Sequence, residues 1–583
     1  MLNNKPRILY IDLTKKKIRI EAREDLKQYI GGVGIATKLL EENMVPGKSP
    51  LDPEQPIVLA IGIVSTVLPL MTKTVATFIS PLTGEFGESY AGGRLAYTIF
   101  NAGFDAVVLT GKANSLSYLV IEEDNVEFRD ARSFKGMGAD VIGQHMRAVG
   151  GFSGKRSIIR IGPAGENLSK IACVNVDTYR HFGRLGLGAC FGSKNLKAIV
   201  FSGMTDMPIP DVKKYFATYR EIYARVTTTT LMSKYHDLGT AINVKVLNDK
   251  GSLPTRNLQA TSFEHVDDIS GETMAEKNLK RKVACVGCPI GCIHIGQVRR
   301  LFGEGYDYQS FDVSYDYELI SAMGSLIGIN NTDDVLELIS EVEEIGYDVI
   351  SAGCCLAWAT EMYLKGLVTE KETLIPLSFG DKDSYIKALG FMKSGKTDFY
   401  KALANGIVEA TSKYGGEDFG LQIAGNEMPQ YHTGYGSIVG YAFGARHSHL
   451  CNGGYSIDQK MKEFNKDELV DKIFDEEIGR NLLNSLIACL FARSVYDNDT
   501  IHKALSGLGI EYTADELREA SERIYATKLR IKKKLGFDIK NVKIPKRILE
   551  TEAMGKKVDP EIVKELLIML DKKNEELLAK YPR

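Results

Sequence analysis

The amino-acid sequence predicts an α+β protein, in which a β-rich N-terminal domain (residues 1–205) precedes two mainly α-helical domains (206–417 and 418–583). Three observations lead to this prediction. Apolar runs separated by Gly, Pro and Asn fill the first third of the chain, and apolar residues at three- and four-residue intervals follow it. A loop at 415–418 then separates the second region from the third. A chain of 583 residues also exceeds what one hydrophobic core supports.

The strands of the first domain are predicted where apolar residues alternate with polar ones or form short continuous runs. The predicted strands are Ile8–Ile11, Ile18–Ile20, Ile57–Ile63, Ala106–Leu109, Tyr118–Ile121, Ser157–Ile161 and Ala198–Phe201. The longest apolar stretch, 57–71, is shorter than the roughly twenty residues that span a bilayer, and Ser65, Thr66 and Pro69 interrupt it. We therefore predict buried strand and loop there and no membrane span.

Helices are predicted where apolar residues recur every three or four positions with polar faces between them. Such segments lie at 213–226, 334–367 and 398–415. The last predicted helix begins at a capping Asp559, which is followed by Pro560, a favourable residue for the first helical turn. Aromatic and methionine residues in these segments are most simply explained as core residues.

Composition and charge exclude several classes of function. The formal net charge is −2, which argues against a surface that binds nucleic acid. Nine cysteines are too few and too irregularly spaced for the disulfide framework of a secreted protein. The first residues lack the apolar core of a signal sequence, so we predict a cytoplasmic protein. Abundant Lys and Glu beside a single Trp favour a heat-adapted source.

One loop, KVACVGCPIGCIHIG, is predicted to bind metal because it contains Cys285, Cys288 and Cys292. The glycines and proline between them allow tight turns, whose backbone N–H groups point towards sulfur. Three ligands in one loop with a fourth from a distance are typical of a four-iron cluster, whereas structural zinc usually takes a second Cys-x-x-Cys pair or histidines. A zinc loop and three buried thiols remain alternatives on spacing alone. The fourth ligand is then a distant cysteine, which we prefer, or His294.

Four glycine-dense loops lie in the first domain, at 31–36, 80–94, 161–167 and 183–198. Glycines let the backbone approach a phosphate or a flat ring closely. None of these loops has the spacing of a P-loop, and GRLGLGACFG only faintly matches a dinucleotide motif. A nicotinamide-binding Rossmann domain is therefore not expected, and each loop taken singly is better explained by turns than by a cofactor site.

Together, four motifs resemble the aldehyde:ferredoxin oxidoreductase family of tungsten-containing, bis-pterin enzymes. They are SPLTG at 80–84, IGPAGEN at 161–167, ACVGCPIGC at 284–292, and Cys489 about two hundred residues later. The resemblance extends over nearly the whole chain. It implies a tungsten between two pterin dithiolenes in the β-rich first domain, which becomes the cofactor-binding domain, and a nearby 4Fe-4S cluster.

The resemblance assigns Cys489, in NSLIACLFAR, as the fourth ligand of the cluster beside Cys285, Cys288 and Cys292. Without the resemblance, a cysteine in so apolar a segment is equally typical of a buried core thiol. The remaining cysteines are interpreted as packing residues.

The resemblance also implies which residues bind the two pterins. The first pterin segment matches Glu343, Tyr347 and Asp348, although an acidic helix end on the surface would satisfy the same sequence. The second segment matches Asn484 and Ala488 and departs from the family pattern at its Asp, Gly and Leu positions. We therefore expect the hydrogen bonds to the second pterin to be arranged differently.

The resemblance implies further cofactor contacts in and near the glycine-rich loops. Where the family has an arginine between cluster and pterin, this chain has Lys73, a point charge without the arginine fork. The backbone carbonyls of Tyr90 and Phe182 match those that hold a magnesium ion bridging the pterin phosphates. The residues expected to line the phosphates are Gly92, Gly93, Gly183 and Arg184.

Catalytic roles are implied for Glu318 in YDYELISAMG, His449 in GARHSHL and Tyr431 in MPQYHTGYG. Glu318 is the expected general acid/base, with a pKa raised by an apolar, closed pocket. His449 is expected to donate a hydrogen bond to an oxygen at the metal or substrate, and Tyr431 to orient the aldehyde. Because this loop is one residue shorter than in the family, His447 is an alternative to His449, and His432 is a further candidate.

The resemblance implies oxidation of an aldehyde to a carboxylic acid, with electrons passing through the cluster to ferredoxin or a small iron–sulfur subunit. The family's Glu-x-x-His segment, which can hold a metal between two subunits, is here Glu337 followed by Ser340, so we expect any oligomer to lack that bridge. Two alternatives stay open: a metal-stabilised electron-transfer or scaffold subunit without a substrate site, and a family member that acts on a substrate other than an aldehyde.

Overall fold

The computed structural model describes residues 5–149, 155–206, 209–301, 305 and 307–582. Met1–Asn4, the start of the predicted first strand region, lie outside the described residues. The strands are β1 (Arg7–Asp12), β2 (Lys17–Ala22), β3 (Ile57–Ala60), β4 (Thr74–Ile79), β5 (Phe86–Ala91), β6 (Ala106–Thr110), β7 (Ser117–Glu122), β8 (Asn125–Asp130), β9 (Arg156–Arg160), β10 (Val174–Val176), β11 (Arg180–Phe182), β12 (Leu196–Ser202), β13 (Leu279–Val283), β14 (Ile293–Leu301), β15 (Tyr308–Tyr315), β16 (Gln422–Ile423) and β17 (Asn426–Glu427).

Two mixed sheets build the first domain, with the strand orders β2-β1-β6-β3-β4-β5 and β11-β10-β9-β12-β7-β8. β1 runs parallel to β6, and β12 runs parallel to β7, while the neighbouring pairs are antiparallel. Inward-facing residues of both sheets, such as Leu59 of the first and Ile159 of the second, belong to one hydrophobic cluster. The two sheets therefore share a core, which confirms the β-rich first domain.

Most strands of this domain were predicted, but β4, β5, β8, β10 and β11 were not. β5 falls inside the loop that was predicted at 80–94 from its glycines. The apolar stretch 57–71 consists of β3 and a buried loop, as predicted.

Beyond residue 205 the described chain is mainly helical, as predicted. Some helices also lie between the strands of the first domain. The helices are α1 (Gly32–Asn43), α2 (Leu95–Asn101), α3 (Ala139–Val149), α4 (Pro163–Glu166), α5 (Leu187–Ser193), α6 (Val212–Thr228), α7 (Thr230–Asp237), α8 (Asn243–Asp249), α9 (Gly271–Lys277), α10 (Tyr317–Met323), α11 (Thr332–Ile345), α12 (Val349–Leu364), α13 (Glu370–Thr373), α14 (Lys382–Ser394), α15 (Asp398–Leu403), α16 (Ile407–Tyr414), α17 (Tyr435–Phe443), α18 (His449–Asn452), α19 (Gly454–Lys460), α20 (Lys466–Ser485), α21 (Asn498–Ser506), α22 (Ala514–Lys534), α23 (Lys546–Glu550) and α24 (Pro560–Lys580).

The helical predictions are confirmed, but two of the predicted segments each form two helices. The segment 398–415 forms α15 and α16, with Gly406 just before α16. The segment 334–367 forms two helices, α11 and α12, because Gly346 adopts the left-handed conformation (φ 88°) that ends α11. Asp559 caps α24 by accepting a hydrogen bond from the Glu561 N–H. Among the described helices, we find none whose length and apolar content would carry it across a lipid bilayer.

A small sheet of β13, β14 and β15 was not predicted, and it holds the cysteine loop. The loop leaves β13 and returns into β14, which pairs antiparallel with both of its neighbours. The fold thus places the metal-binding motif on a hairpin within the second region. The domain boundaries at residues 205 and 417 stay predictions.

Buried ion pairs join the end of the chain to its beginning. Lys528 of α22 pairs with Glu88 of β5, and Lys532 pairs with Glu85 just before it. All four side chains are buried. Since a buried charge without a partner is costly, these pairs fix α22 against the first domain.

Candidate active site

A cavity of about 350 Å³ lies where the cysteine loop, the first domain and the helical regions meet. The predicted site residues that line it are Lys73, Tyr90, Gly183, Arg184, Cys285, Cys288, Cys292, Glu318, Glu343, Tyr347, Asp348, His449, Asn484, Ala488 and Cys489. The predicted residues that do not line it are Gly92, Gly93, Phe182, Tyr431 and His447. Residues from almost the whole length of the chain therefore converge on one space.

Backbone hydrogen bonds bring Cys489 to the cysteine loop. The Cys489 N–H donates to the Leu70 carbonyl (2.9 Å), and Met71 forms an isolated bridge with Ala488. On the other side, the Val286 N–H donates to the Gly93 carbonyl (3.0 Å). The segments 70–73 and 92–93 thus hold the loop and Cys489 around the same cavity, which Cys489 shares with the other three thiols.

The environment of Cys285 favours its thiolate form. Its sulfur accepts a hydrogen bond from the Gly93 N–H (3.2 Å). Burial raises the pKa of Cys285, but Lys73, Arg180 and this N–H together outweigh burial and lower it. A thiolate is the form that binds metal.

Lys73 lies among the cysteines. Burial lowers its pKa, yet the neighbouring Cys489, Cys285 and Cys292 outweigh burial and raise it, so the half-buried Lys73 keeps its positive charge. A Cβ atom on Gly92 would come within 2.8 Å of the Cys285 sulfur and 3.0 Å of the Lys73 amine. Only glycine fits between these two groups.

The alternative of a single zinc ion finds no support in the described residues. No group of three or more His, Cys, Asp or Glu side chains in that part of the chain is arranged to hold one ion. His294 contacts backbone carbonyls at both ring nitrogens, with Nδ1 3.2 Å from Cys292 O and Nε2 3.1 Å from Asp237 O. It is therefore engaged as a hydrogen-bonding residue, not aimed at the sulfurs.

Glu318, Tyr431 and His449 form a hydrogen-bonded group at the cavity. The Tyr431 hydroxyl donates to Glu318 Oε1 (2.7 Å), and His449 Nε2 lies 3.1 Å from the same oxygen. Burial lowers the pKa of His449, so the neutral ring donates to an ionised carboxylate. Tyr431 stands behind Glu318 and does not line the cavity.

The expected rise in the pKa of Glu318 is wrong. Burial does raise it, but the hydrogen bonds from His449 and Tyr431 outweigh burial and lower it overall. The Glu318 side chain is 14% exposed, and the groups that lie against its carboxylate are polar, not apolar. Glu318 is therefore ionised in its resting state.

Asp316 is a cavity residue that sequence reasoning missed. It lies two residues before Glu318, at the residue that precedes α10, and its Oδ1 atom is buried without a hydrogen-bond partner. Burial and the charge of Glu318 raise its pKa to about 7. The sequence YDYE contained the signal, since two acidic residues on either side of a tyrosine at a helix start can share one pocket.

His447 belongs to a different buried group, so its alternative catalytic placement is corrected. Its Nε2 atom lies 3.1 Å from Glu85 Oε2 and 2.9 Å from the Lys532 amine, away from Glu318. Burial raises the pKa of Glu85, but Lys532 and His447 outweigh it and lower the pKa to about 2. His432 also lies outside the cavity lining, with Nε2 2.9 Å from Thr551 O.

The predicted first pterin segment is buried at the cavity and is not a surface helix end. Asp348 caps α12 by accepting from the Ile350 and Ser351 N–H groups, and it also accepts from Arg184 Nε (3.1 Å). The pKa of Glu343 is well above its usual value because of burial, while burial lowers that of His181 to about 3. The 3.7 Å approach of these two side chains is therefore a contact between neutral groups.

The remaining predicted residues divide by position. Asn484 ends α20 at the cavity, and Ala488 follows it one turn later. A Cβ atom on Gly183 would meet no atom within 4 Å, so the backbone there faces open space. The Phe182 side chain is a fully buried core residue, which leaves only its backbone for the predicted contact.

Several buried polar atoms at the cavity have no hydrogen-bond partner. They are Tyr90 Oη, Arg184 Nη1, Tyr315 Oη, Asp316 Oδ1, Glu343 Oε1 and Arg446 Nε. Buried polar groups are normally satisfied. This set offers both donors and acceptors, so it suits a polar, multiply hydrogen-bonding molecule.

The chain belongs to the aldehyde ferredoxin oxidoreductase family, a family of oxidoreductases. The family's N-terminal domain matches residues 8–203, and its domains 2 and 3 match residues 217–575. Among its relatives is the tungsten-containing aldehyde ferredoxin oxidoreductase of Thermococcus kodakarensis, 31% identical over 94% of this chain and 92% of the relative. The enzyme of the same name from Pyrococcus furiosus is also 31% identical, with the same coverage.

Two further comparisons widen the range of relatives. The WOR-like subunit of an aliphatic sulfonate oxidoreductase from Pyrococcus furiosus is 30% identical over 75% of this chain and 70% of that subunit. The active-site complex BamBC of benzoyl coenzyme A reductase has the same fold, with a TM-score of 0.83, 21% identity, and coverage of 99% of this chain and 96% of that one.

Proposed function

We propose that this oxidoreductase converts an aldehyde and water into a carboxylic acid, two electrons and two protons, and delivers the electrons to ferredoxin or a small iron–sulfur subunit. The observation that carries the proposal is the shared cavity, which places the Glu318 carboxylate and four cysteines around one space. An acid/base group and an electron relay are what this reaction requires of the protein.

Tungsten held by two pterins is the proposed cofactor of the cavity, and it would supply the two-electron chemistry at the aldehyde carbon. The unpartnered donors and acceptors of the lining fit a molecule as polar as a pterin. We assign Glu343, Tyr347 and Asp348 to one pterin and Asn484 and Ala488 to the other.

The pterin phosphates and a magnesium ion are assigned to the part of the cavity that Arg184 and Gly183 line. Arg184 carries a free Nη1 and is oriented by Asp348 and by the Glu427 carbonyl, to which Nη2 donates (2.6 Å). The backbone would be accessible to the phosphates at Gly92, Gly93 and Gly183. The proposed magnesium ligands are the backbone carbonyls of Tyr90 and Phe182.

A 4Fe-4S cluster is assigned to Cys285, Cys288, Cys292 and Cys489. Lys73 would stabilise the more negative, reduced state of such a cluster because it is a half-buried cation among the thiols. The amine lies next to Gly92, which is one of the residues assigned to the phosphates.

The protein's own contribution to the reaction centres on Glu318. As an ionised carboxylate, it is placed to accept a proton from water or from the hydrated aldehyde at the cavity. Tyr431 and neutral His449 fix one of its oxygens, so the other remains available. Asp316, whose pKa burial and the charge of Glu318 raise to about 7, is the proposed group that takes that proton onward.

The substrate itself is assigned only by class. A sulfonate is the second candidate, because a relative covering three quarters of this chain is named for aliphatic sulfonates. Arg180 and Arg446 at the cavity would suit an anionic substrate.

All nine cysteines are free, which supports a reducing compartment such as the cytoplasm. Glu337 pairs with Arg300 (2.7 Å) and Lys382 (3.1 Å), which supports an assembly without a metal at that position.

The proposal is tested on protein purified without oxygen. We expect tungsten and about four irons per chain, and reduction of benzyl viologen by aldehydes but not by aliphatic sulfonates. Glu318→Gln is expected to lower turnover at least about 100-fold while tungsten and iron contents stay unchanged. Glu276→Gln, an exposed carboxylate on α9, is the matched control and should keep full activity. Loss of both metals in Glu318→Gln would instead make Glu318 a structural residue.

A further inference from the structure

The outer face of α6 exposes a stripe of large apolar side chains. Val212, Phe216 and Tyr223 are 54%, 51% and 42% exposed. They recur at four- and seven-residue intervals, together with half-buried Tyr219, so they share one face of the helix. The rings of Tyr219 and Tyr223 stack at 6.0 Å. Three exposed apolar residues in one row on a single helix form a patch, unlike isolated surface residues.

This helix lies one short segment away from the cysteines. The Tyr215 hydroxyl of α6 donates to the Val67 carbonyl (2.8 Å), while the Cys489 N–H donates to the Leu70 carbonyl (2.9 Å). On the same segment, Thr66 O lies 3.4 Å from the position of a Cβ atom on Gly287, in the middle of the cysteine loop. Residues 66–70 therefore contact α6 and both cysteine-bearing segments.

Buried aromatic side chains fill the space between the stripe and the thiols. Tyr496 donates to the Pro69 carbonyl (2.6 Å), and burial, Tyr219 and Cys288 together raise its pKa. Tyr219, Tyr496 and the cysteines Cys288 and Cys489 belong to one hydrophobic cluster. The interior behind the stripe is thus continuous with the cysteine site.

Two cations flank the stripe without forming an ion pair. Lys213 and Arg220 are exposed and lie on the same helix face as Phe216 and Tyr223. Neither forms a salt bridge with another residue of the described chain, whereas Arg225 pairs with Asp497. The apolar stripe, with unpaired positive charge beside it, is complementary to a partner surface that has apolar residues at its centre and acidic residues around them.

We propose that the outer face of α6 docks an acidic iron–sulfur protein, which takes electrons from the cysteine site through residues 66–70 and Tyr496. This inference rests on the proposed function, since it requires a redox centre at the four cysteines. The occupant is an electron carrier because the patch lies directly outside that site, and its acidic character follows from Lys213 and Arg220.

The test measures docking separately from turnover. The dissociation constant of a purified two-cluster bacterial ferredoxin is measured on the immobilised holoenzyme, and activity is assayed with that ferredoxin and with benzyl viologen. Phe216→Glu is expected to raise the dissociation constant and the ferredoxin KM at least about tenfold, which corresponds to about 1.4 kcal/mol and is within the range of an interface anchor. Viologen reduction should not change. Lys213→Glu with Arg220→Glu should weaken binding and flatten its dependence on salt.

Leu364→Glu is the matched control, because Leu364 is 56% exposed at the end of a different helix, α12. It should leave both acceptors unaffected. Unchanged ferredoxin binding in Phe216→Glu overturns the docking proposal, as does a change of oligomeric state, which would make the stripe a contact between two copies of this chain. Absence of viologen activity in the unmodified holoenzyme contradicts the proposed function instead, while the binding measurement still decides the docking.

Discussion

Removing the Tyr431 hydroxyl is expected to shift the pH dependence of catalysis without moving the carboxylate that it contacts. In Tyr431→Phe, Glu318 loses the 2.7 Å hydrogen bond to Oε1 and keeps the 3.1 Å contact with His449. The ring itself stays in place, packed 4.2 Å between centroids from Tyr455. The perturbation is therefore confined to one donor.

The size of the shift follows from the strength of that hydrogen bond. A hydrogen bond to a charged group contributes about 1.5–3 kcal/mol, and one pKa unit corresponds to about 1.36 kcal/mol. The hydroxyl stabilises the ionised carboxylate, so its loss raises the pKa of Glu318 by about 1 to 2 units. Since the reaction needs the ionised form, the acidic limb of the profile moves to higher pH by the same amount.

The assay is kcat/KM for an aldehyde measured with viologen from pH 4 to pH 9. Tyr441→Phe is the control, because Tyr441 is also buried and its hydroxyl donates to the Tyr431 carbonyl (2.7 Å), not to Glu318. Its acidic limb should coincide with that of the unmodified enzyme. An acidic limb that does not move in Tyr431→Phe, with tungsten content intact, would refute the assignment of Glu318 as the group that must be ionised.

Three further predictions concern the metal site, the second carboxyl and the buried ion pairs. Cys489→Ser should lower iron content and abolish the electron paramagnetic resonance signal of the reduced 4Fe-4S cluster, while Cys190→Ser, a buried core thiol, should change neither. Asp316→Asn should remove the inflection near pH 7 from the rate profile, because the pKa of about 7 belongs to Asp316; an inflection that persists assigns it to another group. Glu85→Gln should lower the free energy of unfolding at pH 7 by about 3 kcal/mol, since a fall in pKa from 4.5 to about 2 stabilises the folded state by roughly that amount. This stabilisation is present in full above about pH 4.5 and is lost as the pH falls towards 2, so urea unfolding of the variant should lack that part of the pH dependence.

Local pattern was sufficient for elements that are amphipathic along their own length. The helix α6 and the capped start of α24 follow from spacing and from Asp559, because both signals lie within one or two turns. The strand β5 was missed because its glycine-rich segment predicts a loop, and its Glu88 is buried only through a distant partner. Its partner Lys528 lies 440 residues away, and no local pattern carries that information.

The same limit separates the predicted from the missed parts of the site. The positions of Glu318 and His449 at the cavity were predicted from motifs, but the direction of the Glu318 pKa shift was not. That direction depends on the hydrogen bond from the Tyr431 hydroxyl, which lies 113 residues further along the chain. No rule of sequence spacing predicts this contact. Asp316 was missed because its significance lies in an unsatisfied oxygen, which exists only once the cavity has formed.

The ion pairs between α22 and the first sheet set an order of events during biosynthesis. Glu85 and Glu88 leave the ribosome early, and their cations, Lys532 and Lys528, emerge only after nine-tenths of the chain has been made. Until then the two carboxylates lack the α22 cations that they pair with in the folded protein. The wall of the cavity that β5 forms is therefore fixed against α22 only when the last tenth of the chain has been made.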